Sequence, residues 1–115
     1  MIRLYGISNC STVKKARNWL TQNNIDYGFT DYKKTAANQE KLQNWCNKFG
    51  WQKILNTNGL TYKKLDTQAK ANINNQKDAI NYMLNATSSI KRPIIETDCE
   101  TILGFDIAVY EKTFL

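Results

Sequence analysis

A chain of 115 residues, 42% hydrophobic and 11% aromatic, is long enough for one domain with a real core and too short for two. It contains no histidine, which excludes Cys–His nucleophile pairs and Ser–His–Asp triads. The net charge of +6 favours anionic partners, but the basic residues are spread along the chain without a nucleic-acid motif, so no direct nucleic-acid contact is expected.

Residues Ile2 to Tyr5 are a short apolar run stopped by Gly6 and predict a buried first strand. Ser11 or Thr12 can cap the helix that follows, in which Val13, Ala16 and Leu20 mark one apolar face and Lys14, Lys15 and Arg17 leave the other basic. Asn23 and Asn24 end it, and loose alternation over Ile25–Tyr32 predicts a second strand. A helix is expected over Asn38–Phe49, with Leu42, Trp45, Cys46 and Phe49 on its apolar face and Gly50 as the stop. The segment 51–73 is turn-rich with short helical pieces, and Gln76–Asn85 reads as a further helix carrying Ala79, Ile80, Met83 and Leu84. After the lone proline, Pro93, Ile94 and Ile95 start a hairpin that turns at 97–100 and returns through Thr101–Leu103. Asp106 caps a last helix with Ile107, Tyr110 and Phe114 expected inward. Strand, helix, strand, helical block, hairpin, helix gives an α/β fold with a small mixed four-stranded sheet and flanking helices, its first two strands parallel.

Cysteines 10, 46 and 99 are odd in number and widely spaced. That suits neither a disulfide framework nor a zinc site, so no metal is expected, and free thiols in a reducing compartment fit better. With no leader pattern at the start and no apolar run able to span a bilayer, a cytoplasmic location without membrane contact is expected. Cys46 falls on an apolar helix face and reads as core; Cys99 sits in a turn between Asp98 and Glu100, whose charges disfavour a thiolate. Cys10 is different. In "YGISNCSTVKK" it follows a strand and opens a helix, where unpaired N–H groups and the helix dipole favour a thiolate. Lys14 and Arg17 lie one to two turns further on and can add to the effect, while Asn9, Ser11 and Thr12 can donate around the sulfur. A Cys10–Cys99 pairing stays open at this level, because the distance between them is not legible in sequence.

The layout, with "YGISNCSTVKKARNWL", "DYKK", "GWQKILNTNGLTYKKL", "IKRPIIE" and "LGFD" in order, resembles the thioredoxin-like arsenate reductase (ArsC)/Spx family, closest to its YffB subgroup, over about residues 2 to 114. The resemblance implies one thioredoxin-like domain over 1–115, with a helical insertion at about 36–88. It implies Cys10 as the reactive cysteine, Pro93 as a cis proline facing it, and Arg92 as the arginine of the "RP" pair that holds an anion, with Lys14 nearby. It also implies a monothiol oxidoreductase that binds no cofactor and uses glutathione, or another low-molecular-weight thiol, as co-substrate. Glutaredoxin is a further possible partner. The alternatives are an Spx-like adaptor for the RNA polymerase alpha subunit and a glutathione-linked arsenate reductase.

The chain departs from the pattern in informative places. Position 13 is Val, so the two-cysteine switch of Spx proteins cannot form. Arsenate reductases of the family hold the oxyanion with three arginines; here only Arg92 matches one of them. Asn56 and Asn58 stand where the mid-chain arginine is expected, no arginine follows Arg92, and Lys63, Lys64 and Lys91 supply charge without bidentate geometry.

Overall fold

The computed structural model describes residues 1–57 and 59–115, so Asn58, singled out above, lies outside the described residues. The chain divides into two compact units: Met1–Asp31 with Arg92–Leu115, here the thiol unit, and Tyr32–Lys91, the helical unit.

The thiol unit is built on four strands, β1 (Arg3–Gly6), β2 (Gly28–Asp31), β3 (Ile94–Glu96) and β4 (Thr101–Leu103), in the order β2-β1-β3-β4. β1 and β2 run parallel, joined through α1 (Ser11–Gln22), whereas β3 is antiparallel to both β1 and β4. The register lines up Phe29, Leu4, Ile95 and Ile102 in one cross-strand row. Strand side chains alternate between faces, so this row forms one apolar face. Val13, Ala16 and Leu20 of α1 pack on it, with Tyr110 of the last helix, α7 (Ile107–Phe114). Each fully buried aliphatic side chain in such a row contributes about 1.5–3 kcal/mol.

An aromatic cluster closes the C-terminal side. The Tyr110 ring lies 5.3 Å from Phe105, 5.4 Å from Trp19 and 6.0 Å from Phe114. Phe105 takes the contact expected of Ile107, which is instead 49% exposed in the first turn of α7. Asp106 caps that helix as expected, accepting from the N–H groups of Ala108 and Val109. β2 is shorter than the alternation suggests: Ile25–Tyr27 lead into it, and Gly28 opens it by donating to the Ile2 carbonyl.

In the helical unit, α2 (Gln39–Phe49) is capped by Asn38 and stops at Gly50, whose φ of +90° is left-handed backbone that disfavours other residues. Three short helices follow, α3 (Trp51–Ile54), α4 (Leu60–Lys63) and α5 (Thr67–Ala71), and then α6 (Gln76–Asn85), capped by Asn75. Leu42, Trp45, Cys46, Ile54, Ile80 and Met83 are buried in this unit. The Leu55–Ile90 bridge, with Lys91 N–H donating to the Ile54 carbonyl at 2.7 Å, ties the end of α3 to the C-terminal end of the unit. Among the described residues no helix is long and apolar enough to cross a membrane.

Candidate active site

Tyr5 pairs with Ile94, which puts the end of β1 beside the start of β3. The chain leaves β1 at Gly6, turns through Ile7–Cys10 with Cys10 N–H on the Ile7 carbonyl at 3.1 Å, and enters α1. Cys10 itself, not Ser11 or Thr12, is the N-cap, with φ −87° and ψ 128°, and its carbonyl accepts the first helical hydrogen bond from Lys14 N–H at 3.0 Å. The cap position normally takes a side-chain oxygen that accepts from the second or third helical N–H. Here a sulfur stands in that place. It makes no conventional cap bond, but the N–H groups of Val13 and Thr12 still bear on it.

Burial alone pushes the Cys10 thiol up. The Val13 N–H, the Arg92 side chain, the Thr12 N–H and the Arg92 charge together outweigh burial and bring it below the ordinary thiol value. Arg92 reaches the sulfur because it precedes Pro93 and Ile94 at the same end of the sheet; the Arg92–Pro93 peptide is cis. Pro93 is anchored in turn. Its carbonyl accepts from Gly104 N–H at 2.8 Å, and the Gly104 carbonyl accepts from the Tyr110 hydroxyl at 2.7 Å.

Cys10, Arg92, Pro93 and Thr12 are therefore brought together, the last through its backbone. The Ser11, Thr12 and Asn9 side chains are exposed. Lys14 is exposed and Arg17 is elsewhere; neither contributes to the shift of the thiol. Arg17 stacks over the Phe29 ring at 4.1 Å and donates to the Tyr27 hydroxyl at 3.1 Å. Arg3 donates to the Thr30 hydroxyl. Val13 escaped the sequence reading because the cap was placed one or two residues late. With Cys10 as N-cap, the second and third helical N–H groups belong to Thr12 and Val13.

Neither of the other thiols shares this activation. Cys46 is buried and pushed up to about 11. Cys99 lies beyond Glu96, which pairs with Arg3, and so at the opposite end of the sheet from Cys10. Four strand residues span roughly 10 Å, beyond disulfide reach. This closes the Cys10–Cys99 pairing left open above. Cys99 lines a cleft of about 660 Å³ at that far end, with Asp26, Asp98, Glu100 and Lys112. No cluster of three or more metal-ligating side chains occurs among the described residues.

A parallel β1–α1–β2 unit joined to an antiparallel hairpin, with a cysteine at the N-terminus of α1 and a cis proline opening β3, defines a thioredoxin-like protein. The ArsC family model matches residues 5–113, and the chain belongs to that family. It is 35% identical to an uncharacterised Haemophilus influenzae protein over 114 residues, 99% of either chain. Among solved structures it is similar to a YffB protein (41% identity, TM-score 0.95, all of both chains). It is also similar to an arsenate reductase (ArsC) related protein from Brucella melitensis (40% identity, TM-score 0.77, 98% of this chain and 93% of that one).

Proposed function

We propose that the protein is a thiol-dependent reductase in which Cys10 is the only reacting cysteine and glutathione supplies the electrons. The observation that carries this reading is the thiol held below its ordinary value at the head of α1, beside one guanidinium. The Cys10 thiolate attacks the glutathione sulfur of a mixed disulfide. The Cys10–glutathione bond forms, the substrate S–S bond breaks, and the substrate thiolate leaves and takes a proton from water. A second glutathione thiolate then attacks the adduct, releasing glutathione disulfide and restoring the Cys10 thiolate. The net reaction is mixed disulfide plus glutathione to free thiol plus glutathione disulfide.

With Val13 in place of a second loop cysteine and Cys99 at the other end of the sheet, resolution from outside is the route these positions support. Arg92 would hold a glutathione carboxylate. A single guanidinium suits a disulfide, whose reacting sulfurs carry no charge, better than a multiply charged oxyanion.

The test couples a glutathione mixed disulfide to glutathione reductase and follows NADPH. The expected result is activity that disappears in Cys10→Ser and an intact mass one glutathione heavier in the trapped wild type. Full activity in Cys10→Ser sinks the proposal. Arsenate-dependent NADPH oxidation exceeding that with the disulfide would reassign the substrate.

A further inference from the structure

The charge of this chain is divided very unevenly between its two units. The thiol unit carries six lysines and arginines against seven acids, a net of −1. The helical unit carries ten lysines, no arginine and three acids (Glu40, Asp66 and Asp78), a net of +7. Those acids sit where helices use them. Asp66 caps α5, accepting from Ala69 N–H at 2.7 Å, while Glu40 and Asp78 lie in the first turns of α2 and α6. The excess positive charge of the whole protein thus resides in the unit without the reactive thiol.

Within that unit one face stands out. Leu60 opens α4 and is 74% exposed, the only large hydrophobic side chain found so exposed among the described residues of this unit. Lys63 and Lys64 follow it at i+3 and i+4, which places all three on one side of the turn. Both lysines are exposed, and neither is held in an ion pair among the described residues. Lys70 of α5 holds its ammonium 5.4 Å from the ring of Tyr62, which stands two residues from Leu60 and so points away from this side of α4.

We propose that this face (Leu60, Lys63 and Lys64) docks an acidic segment of a partner protein in which carboxylates flank an apolar side chain. The ammonium groups are point charges without the fork geometry that reads phosphates or guanine edges. A mobile run of carboxylates meets them without that geometry. Leu60 decides between protein and nucleic acid: it gains from burial against an apolar side chain and gains nothing from a phosphate backbone. The surface belongs to the unit that does not contain Cys10, and its function does not depend on the thiol reaction.

The experiment is fluorescence anisotropy at physiological salt with three labelled probes. These are a glutamate-rich peptide with central leucines, the same peptide with serines replacing the leucines, and a duplex DNA of matching charge. The leucine peptide is expected to bind about tenfold tighter than the serine peptide, as one buried apolar side chain allows, and tighter than the DNA. Leu60→Ser should erase the preference for leucine. Lys63→Glu with Lys64→Glu should weaken both peptides by at least about tenfold, the loss of two contacts between opposite charges and their replacement by repulsion. Cys10→Ser should bind as wild type does. Should the charge-reversal pair fold poorly, judged by circular dichroism and Cys10 alkylation, Lys63→Gln with Lys64→Gln gives the same reading with a smaller loss. The proposal is overturned by DNA binding at least as tightly as the leucine peptide, by a leucine preference that survives in Leu60→Ser, or by binding of neither peptide.

Discussion

Each unit contains a cysteine drawn in from solvent, half-buried in the thiol unit and buried in the helical one, and the two are treated in opposite ways. Cys46, on the apolar face of α2, meets only burial and is pushed up to about 11. Cys10 meets burial too, yet ends below its ordinary value because two N–H groups and a guanidinium face it. Removal from water disfavours a thiolate in both places, and what reverses the sign is the unspent donors of a helix start plus one fixed cation. In this protein, which has no histidine, the reactive thiol is activated by a helix terminus together with a guanidinium. The middle of a helix, where every N–H is already used, offers nothing.

The largest expected effect follows directly. In wild-type protein near neutral pH, Cys10 should alkylate at least about 100-fold faster than Cys46, a gap set by thiolate fraction and access; site-resolved mass spectrometry against pH measures both. Arg92→Leu should break the contrast. With the guanidinium gone, burial remains and the Cys10 midpoint should move up. The sign carries over to stability. The depressed Cys10 contributes stability above the unfolded thiol value of about 8.5, and that contribution is lost as pH falls through the folded value. Cys46 acts oppositely, favouring the fold below the unfolded value and ceasing to do so as pH rises toward about 11. An unmoved midpoint in Arg92→Leu would assign the whole shift to the helix.

A second, smaller effect tests how rigidly the sheet sets the thiol. A Cβ at Gly6 would stand 2.7 Å from Cγ2 of Val13, whose side chain is fully buried. Gly6→Ala should cost about 1–3 kcal/mol by overpacking and push the first turn of α1 outward, changing the Cys10 alkylation rate. Val13→Ala opens the space, so the double variant should be less destabilised than the two single losses added together. Simple additivity, read from denaturant melts, would mean that β1 and α1 give way independently.

The same physical division explains what sequence could reveal. Features written in local patterns were legible: the apolar face Val13–Ala16–Leu20, the helix over Gln76–Asn85, the strands around the 97–100 turn, and the Asp106 cap. What depended on competition between neighbours was not. Arg17 reads as a cation near Cys10, but at 1.5 Å of rise per residue it lies about 10 Å along the helix, and Phe29 and Tyr27 are its partners instead. Ile107 has the right spacing to face inward and loses that place to Phe105. Cys10 was visible as the nucleophile, but its role as the cap was hidden, because cysteine is not among the residues that usually cap helices. The charge division between units was missed for another reason: the charge was counted over the whole chain, although the resemblance bounds a helical insertion at about 36–88, close to the unit Tyr32–Lys91.

The smallest expected effect asks whether the helical unit can be loosened without touching the chemistry. Asn75 caps α6 by accepting from Asp78 N–H at 2.9 Å. Asn75→Ala removes that acceptor and leaves a helix start unsatisfied, at a cost of about 1 kcal/mol. Because α6 carries the buried Ala79, Ile80 and Met83, the loss should appear as faster hydrogen exchange along α6 and along α2, which packs against it. The acceleration should be about fivefold, the factor that corresponds to about 1 kcal/mol. The pH midpoint for Cys10 alkylation should stay where it is, since none of the groups that set it lies in this unit. Equal acceleration of the α1 amides would instead mean that the two units open together, and that the reactive thiol draws its stability from the same reservoir as the lysine-rich helices.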